Sequence, residues 1–311
     1  MVKKDMRICI AEDIKRVDSG KHKFLNRLSV ELKKNGCKLV DNDADILLHI
    51  GRKITGKRAK KVIMRVDGLI LNRSQPYEKN NRKILKYINK SDAVIYQGAF
   101  CRDAYEKFLG VDKKNTCIHN GADPSEFLKR DVKNYYFSYC RWRPHKRHKN
   151  ICEGFIRAIE KGLDSVLYIG GEVDKKERID HPKIKYLGWM SPEEIREYLS
   201  HAIATIHLSW LDWCPNAMVE SIVAGCPIIY SGSGGSLEIG KFGGIEIKDV
   251  RWDFLPTFLY DPPQLNVNDI SDAIFQVRDN KVKVISYELE IEQVSKKYMN
   301  FFKEILNCVI E

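Results

Sequence analysis

A chain of 311 residues, 43% apolar and 31% charged, is long enough for two separate cores, and its composition excludes a disordered or disulfide-rich protein. No apolar run reaches the roughly 18 to 20 residues needed to span a bilayer. The net charge of +11 is lopsided. Residues 1–130 hold 30 Lys and Arg against 16 Asp and Glu, and the remainder holds 23 against 26, a contrast that implies two domains with different ligands.

The chain opens Met1-Val2-Lys3-Lys4-Asp5 and runs straight into a strand-like stretch, Arg7–Ala11. That stretch is too short for a secretory signal and lacks the small-residue cleavage site, so a cytoplasmic protein is expected, any membrane association running through the basic N-terminal half. Further strands are expected at Ile46–Ile50, Val62–Val66, Ala93–Gln97 and Thr116–His119. Between them Lys23–Lys34, Arg82–Asn89 and Phe100–Leu109 carry apolar residues at helical spacing. A polar hinge near Asp123–Asn134 leads to strands at Tyr135–Cys140, Val166–Ile169, Ile184–Leu187, Ala204–Leu208 and Pro227–Tyr230. Their helices are Asn150–Lys161, Pro192–Ala202 and Pro215–Ala224, with Pro192 and Pro215 at first-turn positions that tolerate proline. An irregular stretch, Pro256–Gln264, precedes a last amphipathic helix at about Glu288–Val309.

Short apolar runs alternating with helices argue for an α/β fold, parallel sheets covered by helices. The expected architecture is two Rossmann-like, doubly wound domains facing across a cleft. The first comprises residues 1–130, with the helix 288–311 packing back on them, and the second residues 131–287. Ligands then belong at the carboxyl ends of the strands.

The nine cysteines include no C-x-x-C pair and read as buried free thiols of a reducing compartment. Cys140, His145, His148 and Cys152 can be written as a zinc site, but Cys140 closes a strand and Cys152 lies inside a helix, so no metal is expected. The basic N-terminal half, densest at Arg52, Lys53, Lys57, Arg58, Lys60, Lys61 and Arg65, suits an anionic acceptor, a membrane surface or nucleic acid; equally, that run is a solvated loop.

Two segments carry chemistry. In Ser209-Trp-Leu-Asp212-Trp-Cys-Pro215-Asn216-Ala217-Met-Val-Glu220, a strand feeds a loop bearing Asp212, and a helix starts near Pro215. First-turn amides form an anion site. Asp212 can accept sugar hydroxyls and Glu220 two adjacent hydroxyls; taken alone, the same pattern is ordinary helix capping. In Tyr135-Tyr-Phe-Ser-Tyr-Cys140-Arg141-Trp-Arg-Pro144-His-Lys146, a strand delivers Arg141 and Lys146 into a loop, two cations able to hold a diphosphate. In the first half, Asp67 and Gly68 end one strand and Gln97 another, where they could touch an acceptor; Asp67 equally caps the turn made by Gly68.

Asp212 and Glu220, separated by seven residues, resemble the acidic pair of family-four retaining glycosyltransferases with the GT-B fold (glycosyl transferases group 1), with Asp where Glu is usual. The resemblance implies that Asp212 contacts the donor sugar and Glu220 the donor ribose. Arg141, Pro144 and Lys146 are similar to the family's Gly-Arg, Pro, Lys-Gly pattern, Cys140 and Arg147 standing where glycines are usual. Gly170-Gly171, Ser233-Gly234-Gly235-Ser236-Leu237-Glu238 and Asn120-Gly121-Ala122-Asp123 fall where the family has a nucleoside-contacting turn, a donor-side turn and the segment closing the first domain. Ser19-Gly20-Lys21-His22 resembles its flexible glycine loop over the phosphates. Together these imply sugar transfer with retention from a UDP- or GDP-sugar to a carbohydrate or glycoconjugate hydroxyl, anionic if the basic half bears on it. Neither a metal nor a cofactor beyond the donor is implied. Two alternatives stand beside this reading: a nucleic-acid-binding or nucleic-acid-modifying protein, though no stable nucleic-acid complex is expected because the run at 52–65 has no aromatic residue to stack on bases, and a donor-binding sensor or inactive partner subunit.

Overall fold

The structure, a computed structural model, describes residues 6–12, 20–50, 56–280 and 282–307. Two compact units form: Met1–Ala122 with Glu288–Glu311, and Asp123–Tyr287.

In the first unit the chain runs through β1 (Arg7–Ile10), α1 (Gly20–Lys34), β2 (Lys38–Leu39), β3 (Ala44–Ile50), β4 (Ala59–Arg65), α2 (Tyr77–Asn89), β5 (Ala93–Tyr96), α3 (Ala99–Leu109) and β6 (Asn115–Cys117). Among the described residues these strands form one parallel sheet in the order β2-β1-β3-β4-β5-β6. The order reverses between β1 and β3, the switch point at which ligands collect in open parallel sheets. β3 and β5 read as nearly unbroken apolar runs because both faces of a parallel sheet are covered.

The second unit contains β7 (Tyr135–Tyr139), α4 (His148–Glu160), β8 (Val166–Gly170), β9 (Ile184–Gly188), α5 (Pro192–His201), β10 (Thr205–His207), α6 (Asn216–Val223), β11 (Ile228–Ser231), α7 (Ser236–Gly240), β12 (Gly244–Ile247) and α8 (Val267–Asp279). Its strands are again parallel, in the order β12-β11-β10-β7-β8-β9, so the reversal falls between β7 and β10. Ser191 and Glu194 close a capping box on α5, and Gly225 (φ +74°) ends the turn after α6, its left-handed backbone one that other residues adopt only with strain. α9 (Ile291–Asn307) returns to the first unit, packing Tyr298 and Phe302 into the core of Phe24, Leu28, Ile46 and Ile50.

Three expectations need correction. The units divide after Ala122, not at 130, because 123–130 is bonded to the second unit: Glu126 pairs with Arg196 at 3.0 Å, Ser200 Oγ accepts from the Leu128 amide, and Arg130 donates to the carbonyls of Leu199 and Ala202. Beyond the foreseen elements, β2, α7, β12 and α8 form. The last helix starts at Ile291, after a 3-10 turn at Tyr287–Leu289; Val309, where its end was expected, lies outside the described residues, as do Ser19, Arg52 and Lys53.

Candidate functional site

Within the second unit, the loops after β7 and β10 leave neighbouring strands at the point where strand order reverses. The first loop passes Cys140 and Arg141, makes a 3-10 turn over Pro144–Lys146, and enters α4 through Arg147 in a left-handed conformation (φ +52°). Its fully buried guanidinium grips Asp249 with two bonds of 2.6 and 3.0 Å and reaches the Leu208 carbonyl, which holds a conformation that glycine would adopt freely. The His145 carbonyl accepts from the Trp210 amide at 2.8 Å, tying the two loops together.

This brings Lys146 onto Asp212. The ammonium donates to Asp212 Oδ2, both side chains being largely buried at 15% and 19% exposed. His207, the last residue of β10, places Nε2 3.7 Å from that same oxygen. Burial pushes the Asp212 carboxyl up, but Lys146 and His207 outweigh it and hold it well below the usual carboxylate range. Burial also opposes the Lys146 charge, which Asp212 overcomes, so the lysine pKa is raised. His145, buried beside Lys146 and stacked on Tyr260, is pushed down to about 3 by burial first.

Glu220 sits on the second turn of α6, 7% exposed, and accepts from the Tyr139 hydroxyl at 3.0 Å. Pro215 precedes the helix and Asn216 and Ala217 open it; first-turn amides have no partner within a helix, the property that makes such an end an anion site. The Gly234-Gly235 turn lies against the Asp212 loop. The Gly235 amide donates to the Asp212 carbonyl at 2.7 Å, and a Cβ on Gly235 would fall 1.9 Å from the Trp213 carbonyl oxygen. Gly171 (φ +94°) follows β8, where a Cβ would lie 2.2 Å from the Cys140 carbonyl oxygen, and Trp142 Nε1 donates to the Gly170 carbonyl at 2.9 Å. Thus Lys146 and Asp212 touch, Gly234 and Gly235 support Asp212, and Gly170 and Gly171 abut the cationic loop. Arg141 stands exposed on that loop and, among the described residues, forms no ion pair.

Tyr139, His207 and Asp249 were not singled out from sequence, while His145 was named only as a possible zinc ligand and Arg147 only as a departure from the resembled pattern. His207 had a signal: an imidazole near the end of a strand with no other ionisable residue. Arg147 had one too, as the residue standing where the resembled pattern has glycine. Cys152 Sγ lies 3.4 Å from His148 Nε2, one helical turn away, but among the described residues no group of three or more His, Cys, Asp or Glu is placed to hold a metal ion.

In the first unit, Asp67 and Gln97 meet at the ends of β4 and β5. Arg65, 1% exposed with Phe24 beneath its guanidinium, donates to Asp67 Oδ1 at 3.1 Å and to Asn120 Oδ1. Gln97 donates to the Val66 carbonyl and to Asp67, and accepts from Asn120 at 3.3 Å. The Asp67 carbonyl accepts from Tyr105, Gly68 follows in the chain, and the Asp67 carboxylate is 45% exposed. Gly20 is the exposed first residue of α1 rather than part of a loop. Of the basic run, Arg58 pairs with Asp43, Lys60 with Asp45, Lys61 with Asp92 and Arg65 with Asp67, so much of its charge is met at the sheet itself. Among the described residues no helix is long and apolar enough to cross a membrane.

Comparison with known proteins bears on this geometry. The fold is similar to sucrose-phosphate synthase from Thermosynechococcus elongatus (12% identity, 96% of this chain and 99% of that one, TM-score 0.70). It is also similar to AviGT4, a glycosyltransferase involved in avilamycin A biosynthesis (14% identity, 97% and 98%, TM-score 0.64), and to Anabaena HepE solved in complex with UDP-glucose (12% identity, 96% and 100%, TM-score 0.63). At such identities the likeness shows the fold, which is GT-B. No curated protein sequence matches significantly. Nothing in these comparisons supports the nucleic-acid alternative. A profile of the glycosyl transferases group 1 covers residues 121–283, just over half of the chain and nearly all of the unit that holds the Lys146–Asp212 pair, so the chain belongs to the glycosyl transferases group 1 family and is a glycosyltransferase.

Proposed function

We propose that this glycosyltransferase passes the sugar of a nucleotide-sugar donor to a hydroxyl of a carbohydrate or glycoconjugate with retention of anomeric configuration, the second unit holding the donor. The observation that carries this reading is the Lys146–Asp212 pair at the strand-order reversal, beside the helix that bears Glu220. Arg141, Lys146 and the amides of Asn216 and Ala217 hold the diphosphate, Asp212 takes sugar hydroxyls, and Glu220 takes the ribose. Gly170, Gly171, Gly234 and Gly235 bring backbone close to the donor. As the bond from the anomeric carbon to the diphosphate breaks, negative charge gathers on the leaving group, so fixed cations stabilise the transition state more than the ground state. The acceptor oxygen bonds to the same face of that carbon, and its proton passes to the departing phosphate. No metal is required to neutralise the leaving group in this scheme. Asp67, Gly68 and Gln97 orient the acceptor; the Arg65–Asn120 network fixes their positions.

HepE was solved with UDP-glucose, which makes UDP-sugars the first donors to try. A sugar nucleotide at a hundred times its dissociation constant should stabilise the protein by about 2.7 kcal/mol, visible in a thermal-shift panel of UDP- and GDP-sugars. Proton NMR of the first product formed should show the donor's anomeric configuration, with turnover unchanged in EDTA. An inverted product would end the retention reading, and loss of turnover on chelation would end metal independence.

A further inference from the structure

We propose that His207 is a positioning residue of the donor site: it takes up a proton when the donor's diphosphate draws Lys146 off Asp212, and so keeps the Asp212 carboxylate paired and in place. The role rests on the reading of Lys146 as a diphosphate ligand.

Two groups compete for one oxygen. Lys146 donates to Asp212 Oδ2, and His207 Nε2 stands 3.7 Å from it. That nitrogen is buried on a residue 7% exposed and, among the described residues, has no partner within hydrogen-bond distance. A buried donor or acceptor left unsatisfied is unfavourable, so the arrangement suits a state other than the unliganded one. While Lys146 holds Asp212, burial first, with the neighbouring ammonium, disfavours a proton on His207 more than the Asp212 carboxylate favours it, and the His207 pKa is lowered. When the ammonium turns to a diphosphate, that repulsion weakens and Asp212 loses its partner in a site where an unpaired carboxylate is costly. Imidazole is the side chain whose ordinary pKa lets it supply the missing charge near neutrality.

The surrounding groups leave His207 in this position. From the turn after β7 come Lys146 and His145, with Cys140 beyond Lys146; His145 is itself held neutral. From the loop after β10 comes Asp212. On the α6 side, where Thr205 bonds to Ser221, Glu220 is occupied by Tyr139. Tyr230, the register partner of His207 on β11, has its pKa raised to about 12 by burial and stays neutral.

The test is calorimetric titration with UDP-glucose and GDP-mannose, whose diphosphates carry no titratable proton near neutrality, in buffers of differing ionisation enthalpy. Wild type should take up close to one proton per donor bound at neutral pH, and His207→Gln should take up none. Independently and without ligand, Lys146→Met should raise the imidazole titration midpoint of His207, read by NMR and assigned by its absence in His207→Gln. Equal proton uptake by wild type and His207→Gln, or an unmoved midpoint in Lys146→Met, would overturn the role. Binding without proton uptake in wild type overturns it while leaving the donor site standing; failure of wild type to bind either donor overturns the donor site as well.

Discussion

In the proposed reading the Lys146 ammonium faces the leaving group, and its removal also takes from Asp212 the cation it pairs with. Lys146→Ala should therefore lower turnover at least a hundredfold, in line with the roughly 2.7–4 kcal/mol of barrier that one such group supplies, and should also lower the melting temperature. The two effects separate in Lys146→Ala/Asp212→Asn: neutralising the stranded carboxylate should recover stability and leave turnover depressed. Acid bears on stability through buried histidines, His148 among them. His148, 8% exposed among Trp142, Cys152 and Tyr186, has its pKa pushed down to about 4 by burial. The unfolded chain, with a histidine pKa near 6.5, binds more protons than the folded one throughout that interval. Its contribution is thus full above about pH 6.5 and is lost as pH falls toward 4, by ~2 kcal/mol at pH 5. His148→Leu should flatten the change in urea-unfolding free energy between pH 7 and pH 5 by that amount.

At the level of elements, the contact between α4 and α8 depends on the absence of a side chain. A Cβ on Gly154 would lie 2.3 Å from Ile270 Cγ2, so the two helices approach with no room for even a methyl group. Gly154→Val should destabilise the second unit by about 1–3 kcal/mol through overpacking, and Ile270→Ala in the same chain should recover part of it, a non-additivity read from denaturant midpoints. α8 itself was not foreseen. Its opening Val267-Asn-Asp and the Asn266 that caps it are residues equally suited to loops, and its apolar face of Ile270, Ala273, Ile274 and Val277 gains meaning only against α4. By contrast α5 and α6 were legible because proline near a helix start, and for α6 a closing glycine, mark helix ends through local backbone chemistry.

Across the whole molecule, the chain's return to its first unit makes α9 part of that unit's core. Ile291, Val294, Tyr298, Phe301, Phe302 and Ile305 are all buried in it. At about 1.5–3 kcal/mol for each large apolar side chain, their burial is comparable with the entire stability of a domain. A chain ending at Tyr287 should leave the first unit unfolded and the second folded, which hydrogen exchange would show as protection confined to 123–287. Retained protection in β1, β3 and β4 would contradict it.

The residue pattern alone established that this is an α/β chain of parallel strands and intervening helices, and that Arg141, Lys146, Asp212 and Glu220 lie in loops and helix starts that follow strands. Both are consequences of short-range chemistry: side-chain periodicity, caps, and proline and glycine at turns. Tertiary structure decided which of those loops meet. Lys146 reaches Asp212 because β7 is laid beside β10, and Arg147 reaches Asp249, which follows β12 at the edge of the same sheet. The order of strands in a sheet is set by crossovers between residues far apart in the chain, and local periodicity carries no record of it.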